Sequence, residues 1–543
     1  MWEQNYAPVA GSVGWSALAA ALPLFTLLYL LGVRRTAAWA AALSGLGAAA
    51  AVALLVYGMP ARMALAAALY GAAFGLFPIC WIIFWAIFLY RLSVETGQFE
   101  IIKDSIGSVT PDRRLQALLI AFAFGAFVEG AAGFGAPVAV AAAMLAGLGF
   151  SPFYAAGICL LANTAPVAFG SIGIPVITLA GITGLPVEKL SAAVGRICAP
   201  VSVIVPAYLV LVMGGWRALG GVLPAALGCG VAFAGAQFYA SNHIGPELTD
   251  ILSSLAAIGA CLAMARLVRP RNEFVFDGAA AEAALRPRHG ARAVVKAWSP
   301  YILLVVCVLA WGRADVKAAL NSATWTVEWP WLHNAVAQMP PVAAQRSPYA
   351  ARYALQWLSA AGTACLLACA LAAAVLRAPL ELLRKVLRET ASQLAKPVLT
   401  VASVLGLAFL MNYSGATATL GLAFAATGAA FPFFSALLGW VGVFLTGSDT
   451  SANALFGNLQ VVTARSLGLN PVLMAASNSA GGVMGKMISL QSIAVAAAAT
   501  GMAAGEESRL FRFTLRHSVA LASLTGLLVL AYAYVMPGWA PAP

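Results

Sequence analysis

Four ionisable side chains interrupt long uncharged stretches: Glu129, Arg196, Asp449 and Lys486. In a lipid-embedded segment each would cost roughly 2.5–3.5 kcal/mol on insertion scales, so each needs a reason. Glu129 lies in Phe127-Val128-Glu129-Gly130-Ala131-Ala132-Gly133-Phe134-Gly135-Ala136-Pro137. Gly130, Gly133, Gly135 and Pro137 weaken a helix and free backbone N–H and C=O groups. Such backbone is tolerated at membrane depth only where it lines a cavity or is covered by protein. The segment therefore reads as a broken helix with a protonatable carboxylate at a central site. The plainer reading is a structural Glu paired with Arg196 or Lys486, its glycines serving close helix packing.

Asp449 sits in the polar run Thr446-Gly447-Ser448-Asp449-Thr450-Ser451-Ala452-Asn453. Ser448, Asp449, Ser451 and Asn453 could bind a coupling cation or a substrate hydroxyl, with Gly447 as a second break. The same residues suit an ordinary helix N-cap, and both readings hold together because a half-helix N-terminus is also an anion site. Lys486 follows Gly481-Gly482-Val483-Met484-Gly485. Ala480 and Met487 spoil a phosphate-binding loop, so nucleotide binding is rejected. Lys486 could neutralise an anionic substrate or stand as partner to Glu129 or Asp449, with Gly485 as a further break. Arg196 offers a planar fork for a carboxylate, or snorkels to a span end. Asn163, Thr164, Asn478, Ser479 and Gln491 could line the same cavity; interhelical hydrogen bonds are the alternative for each.

The elements that position these residues follow from composition. Of 543 residues, 62% are hydrophobic and 9% charged, with mean hydropathy +0.89. A soluble protein would carry about a quarter charged residues. The apolar runs are continuous, not alternating with period two, which excludes an outer-membrane barrel. The expectation is an all-α polytopic membrane protein with about 12–14 transmembrane helices at ~20 residues per span. Met1 to Gly14 contains Glu3 and no Lys or Arg, so no signal-peptide n-region is expected and the first span should be its own insertion signal.

The net charge of +12 comes from basic residues in short links, the positive-inside pattern, and not from a nucleic-acid surface. Links 91–114, 266–296 and 377–396 are expected on the cytoplasmic side. The N-terminus, the Trp- and Pro-rich link 313–352 and the C-terminus are expected outside. Two regions resemble each other: Glu129-Gly130, Gly147-Leu148-Gly149-Phe150-Ser151-Pro152, Asn163-Thr164-Ala165 and Gly170 against Thr446-Gly447, Ser466-Leu467-Gly468-Leu469-Asn470-Pro471, Asn478-Ser479-Ala480 and Gly485. This predicts two related halves with broken or re-entrant helices at the centre. Both follow a basic link, which favours a parallel arrangement unless one half holds a re-entrant element. The expected organisation is N-terminal helices (1–90), a first half with Glu129 (91–265), a basic cytoplasmic loop (266–297), linking helices with the external loop (298–376) and a second half with Asp449 and Lys486 (377–543).

All eight cysteines fall in apolar segments with neither zinc nor disulfide spacing, and no metal or cofactor is expected. The four histidines (His243, His289, His333, His517) fall in or near polar links, which argues against a histidine relay. Gly133-x-Gly135 is too weak for a dinucleotide loop.

At Trp2-Glu3-Gln4-Asn5-Tyr6, Thr96-Gly97-Gln98-Phe99, Pro111-Asp112-Arg113-Arg114-Leu115-Gln116, the Glu129 segment, Asn163-Thr164-Ala165-Pro166-Val167-Ala168-Phe169-Gly170 and Gly245-Pro246-Glu247-Leu248, the sequence resembles the bacterial lactate permease family. In the second half the resemblance runs through Asn412-Tyr413-Ser414-Gly415, residues 439–455, Gly485-Lys486-Met487-Ile488-Ser489 and Leu510-Phe511-Arg512-Phe513-Thr514. One departure is Leu490, where the family pattern has Pro. The resemblance implies import of L-lactate, D-lactate and glycolate with protons across the bacterial inner membrane. Glu129 and Asp449 are then expected to carry the coupling proton. Arg196 or Lys486, with half-helix N-termini, would hold the carboxylate of a small 2-hydroxy acid. The alternatives are a sodium-coupled carboxylate carrier, a cation/proton antiporter or a membrane-embedded enzyme; the last lacks a paired-acid metal motif or a nucleophile–base set.

Overall fold

The computed structural model describes residues 1–107, 109–133, 135–267, 289–503 and 505–542. Arg269, Arg271, Arg286 and Arg288 of the expected basic loop lie outside the described residues. Eleven described helices are long and apolar enough to cross a membrane, or twelve if a bent pair counts as one span, close to the low end of expectation. The chain is an all-α multi-pass membrane protein. Among the described residues, short strands occur only outside the spans: Trp2–Glu3 pairs in parallel with the Val336–Gln338 strand, and Trp325–Glu328 pairs antiparallel with Arg352–Leu355.

Polar contacts sort the links onto two faces. On one, Arg91 pairs with Glu389 at 2.7 Å, Lys385 with Glu95 at 2.6 Å and His289 with Asp104 at 3.0 Å. This basic face gathers links 91–114 and 377–396 and the described end of the third, from His289. On the opposite face Glu3 pairs with Arg346 at 2.8 Å, Arg196 donates to the Trp539 carbonyl at 2.7 Å, and Lys317 lies 3.9 Å from Glu188. The N-terminus, the 313–352 link and the C-terminus therefore share one face.

The two halves are inverted, and two hairpins make them so. Arg113–Ala131 enters from the basic face, and Ala136–Gly147 returns to it: Arg113 donates to the Leu148 carbonyl and its guanidinium sits 5.5 Å from the Phe150 ring centroid. In the second half Phe431–Thr446 and Asp449–Ser466 form a hairpin from the opposite face. Tyr534 donates to Ala429 O at 3.0 Å at its entrance, and Asn470 donates to Pro541 O at 2.7 Å just past its exit. Helix Glu507–Tyr534 is 28 residues long and joins the faces: Arg509 covers Phe153 at 4.6 Å at one end, and Tyr534 marks the other.

A broken helix follows each hairpin, and the same cap starts both. Ser151 accepts from Tyr154 N ahead of Pro152, and Asn470 accepts from Val472 N and Leu473 N ahead of Pro471. A short polar acceptor satisfies free first-turn N–H groups, and Pro is preset for the first helical position. Pro152–Ala162 and Val167–Thr183 are bent by 63°. Pro471–Lys486 breaks at 487–489 before Leu490–Thr500, where Ser489 caps the new helix by accepting from Ser492 N. The break thus forms without the Pro expected at 490.

The halves exchange arms. Val167–Thr183 packs on Asp449–Ser466, while Leu490–Thr500 packs on Ala136–Gly147 and Pro152–Ala162. Helix Val187–His243 is two antiparallel segments joined at Gly214-Gly215, tied at the far end by Ser191 donating to Ser241 O at 2.9 Å. At the Gly214-Gly215 end Arg114 donates to Ala218 O at 3.1 Å while paired with Asp112 at 2.6 Å.

Candidate functional site

Each hairpin tip carries one carboxylate, and each carboxylate docks on the facing broken helix. Gly133 (φ +58°) and Gly135 (φ +85°) turn the first tip, and Gly447 (φ +71°) turns the second; left-handed backbone is where Gly has no steric penalty. Glu129, 5% exposed, accepts from Asn163 Nδ2 at 2.9 Å where the first arm ends. Its other oxygen rests on the bare backbone of Gly170, at the start of the second arm: a Cβ there would lie 2.6 Å from Oε1. Asp449, 3% exposed, accepts from Ser479 Oγ at 2.5 Å and from Asn453 Nδ2 at 3.3 Å, while its Oδ1 has no hydrogen-bond partner among the described residues. Asn163 and Ser479 fall in the matched Asn163-Thr164 and Asn478-Ser479 pairs, so the sequence repeat is a repeat of carboxylate docking.

Lys486 ends the first arm of the second broken helix and donates to Gly447 O at 2.6 Å. Its ammonium is near enough to act electrostatically on both Glu129 and Asp449. These three groups share a cavity of about 370 Å³ with Ser171, Ser448, Ser451 and Gln491, a volume within the roughly 300–1,000 Å³ usual for small-molecule sites. Exposed Lys396 and half-buried Trp39 also line it, so it opens on the basic face. A neighbouring cavity of about 810 Å³, lined by Arg35 and Glu507, shares Thr446, Gly447 and Gln491 with it.

Ser171 (φ +48°), Ile172 (φ +61°) and Gly173 (φ +73°) form three consecutive left-handed residues beside Glu129. The conformation costs roughly 1–2 kcal/mol per non-glycine residue. Ser171 donates to Ala132 O at 3.1 Å, binding this turn to the first tip, and Gly173 lies against the Pro246 backbone, where a Cβ would meet C at 2.6 Å.

Glu129, Asp449, Lys486, Ser448, Ser451 and Gln491 are thus brought together. Asn163 and Asn453 stand behind the carboxylates; Asn453 also donates to Pro175 O at 3.1 Å, bridging the halves. Asn478 is buried in a network with Gln460 and Asn453, and Thr164 donates to Leu161 O; neither lines the cavity. Arg196 is displaced from the expected site: Nε donates to Asn242 Oδ1 at 2.9 Å and Nη1 to Trp539 O, towards the opposite face. Its span position permits either location, and the C-terminal residues claim it. Gly130 and Gly485 are not breaks but helical contact residues, the first against Asp250 and the second against the Trp440 carbonyl. Pro137 starts Ala136–Gly147 and interrupts nothing. His517 lies not in a link but inside Glu507–Tyr534, bonded to Tyr208.

Asp250 was missing from the expected set. It is 1% exposed in the first turn of Thr249–Leu267. In sequence it borders the polar stretch 241–250, so it reads as the end of a solvated link. The available signal was its place two residues after the Gly245-Pro246-Glu247-Leu248 motif.

Residues 16–536 match the family model described as L-lactate permease. The L-lactate permease of Bacillus subtilis (strain 168) is 47% identical over 567 aligned positions, covering 99% of this chain and 100% of that one. The L-lactate permease of Escherichia coli (strain K12) is 45% identical, covering 100% of both chains. The glycolate permease GlcA of the same strain is 45% identical, covering 99% of both. Among solved structures, the Alcanivorax borkumensis YdaH transporter gives a TM-score of 0.47 at 14% identity, covering 87% of this chain and 88% of that one. Family and relatives are permeases, not enzymes; the chain belongs to the L-lactate permease family.

Proposed function

We propose that this protein imports L-lactate, with D-lactate and glycolate as further cargo, across the bacterial plasma membrane by proton symport. The observation that carries the reading is one cavity holding two hairpin-tip carboxylates and the Lys486 ammonium. A 2-hydroxy acid brings a carboxylate and a hydroxyl. Lys486 and the N-termini of Asp449–Ser466 and Leu490–Thr500 suit the carboxylate, and Ser448 and Ser451 suit the hydroxyl. With both acids ionised, Lys486 alone faces two carboxylates between the hairpin tips, away from Lys396 at the exposed mouth, and this local negative excess repels an incoming anion. One proton on Glu129 removes that excess and travels with the substrate; Asp449 is the second acceptor. The names of the relatives support L-lactate and glycolate as cargo. The positive-inside rule makes the basic face cytoplasmic, so the cavity opens inward and the N-terminus lies outside.

The test is uptake of labelled lactate into proteoliposomes under an imposed pH gradient, acid outside. The wild type accumulates lactate and Glu129→Gln does not; full gradient-driven accumulation by Glu129→Gln refutes the proton role. Asp449 Oδ1, without a partner among the described residues beside the Gly447 tip, favours the sodium-coupled alternative, and dependence on sodium at fixed pH distinguishes it.

A further inference from the structure

Among the buried groups that the central cavity does not use, Asp250 is the most exceptional. It is 1% exposed, and neither carboxylate oxygen has a hydrogen-bond partner among the described residues. Buried polar side chains nearly always find partners, and an ionisable residue inside a span marks function by default. Leaving a carboxylic acid without partners there costs far less than leaving a carboxylate.

Its position is specific. Gly130, next to Glu129 in the chain, turns its bare backbone to Asp250: a Cβ there would lie 2.8 Å from Asp250 Cβ and 3.2 Å from Ile251 N. The two acids therefore flank one helix turn and interact electrostatically. Among the described residues, the other titratable groups that interact with the pair are Lys486, with Glu129, and Cys198 of Val187–His243, which interacts with Asp449 as well as Asp250. Glu129 lines the cavity open to the basic face. Asp250 follows Gly245 to Leu248, which line a separate cavity of about 360 Å³ with Glu188, His243, Arg313 and Lys317, on the opposite face.

We propose that Asp250 is a second seat for the coupling proton, exchanging it with Glu129 across the Gly130 turn and so joining the opposite-face cavity to the central one. The Asp250 acid gives its proton to the Glu129 carboxylate. The Asp250 carboxylate left behind takes a proton from hydronium in the water that enters by the opposite-face cavity, leaving neutral water behind. This rests on the proton-symport reading.

The experiment uses the full chain in proteoliposomes and two assays: lactate uptake driven by a pH gradient, and counterflow of labelled lactate at equal pH, which needs no net proton movement. Asp250→Asn is expected to lose gradient-driven accumulation by at least ~10-fold while keeping counterflow, and Asp250→Glu to restore accumulation. Asp250→Asn accumulating lactate with the wild-type pH profile overturns the proposal. Loss of both activities that Asp250→Glu does not restore gives Asp250 a structural role and overturns it equally. Wild-type uptake indifferent to the pH gradient fails the symport reading itself, and this inference with it.

Discussion

Gly170→Ala isolates the docking of Glu129 from every other variable. Gly170 has φ −59° and ψ 157°, a conformation alanine adopts freely, so the backbone is not strained by the change. The new Cβ meets Glu129 Oε1 at 2.6 Å, Cγ at 3.2 Å and Cδ at 3.3 Å, against an ordinary contact distance of 3.4 Å or more. The carboxylate must retreat by about 0.8 Å, and the 2.9 Å bond from Asn163 is lost or bent. A hydrogen bond to a charged group contributes about 1.5–3 kcal/mol, and a misplacement near 1 Å can lower a rate roughly 10²-fold. Gradient-driven lactate uptake per reconstituted protein is therefore expected to fall about 10²-fold. Gly147→Ala, a helical position with no described atom within 4 Å of the new carbon, should leave it unchanged. Wild-type uptake and pH profile in Gly170→Ala would show that the Glu129 position does not matter, and the docking argument would fail.

Lys486→Gln retains a donor for Gly447 O but loses the charge; the lactate KM should rise roughly 10- to 100-fold, read from initial uptake rates. Arg196→Gln should leave KM unchanged while lowering thermal stability by about 1–2 kcal/mol, through its bonds to Asn242 and Trp539; a raised KM would return Arg196 to the substrate site. Ser151→Cys and Ser466→Cys, both at exposed hairpin or arm ends against a background of buried native cysteines, should react with an impermeant maleimide from opposite sides of the membrane. Labelling of both from one side would contradict the inversion.

Much of the site was legible because charge is scarce in the spans: Glu129, Asp449 and Lys486 were singled out by cost alone, and the cavity contains all three. The flank of a span that a residue faces is not written in its composition, which is why Arg196 was placed with them and belongs elsewhere. Asp250 failed for the opposite reason. Its depth comes from the 244–248 connection packing against Gly173, a tertiary contact that makes a link-end residue a buried one. The repeat was legible and its sense was not, because Arg113–Ala131 has the length and hydropathy of a crossing span and only the return of Leu148 to Arg113 shows it to be half of a hairpin. Gly485 looked like a helix break, but the same lack of a side chain serves close approach to Trp440.

The exchange of arms sets an order of events during biosynthesis. When Pro175 leaves the ribosome, the Asn453 that will satisfy its carbonyl is 278 residues away. Until the second hairpin inserts, the first half has a bent helix with no facing surface and a left-handed turn held mainly by its own tip. Neither half is then a finished unit, and a chain cut in the link between them should require both fragments in the same membrane to recover either one.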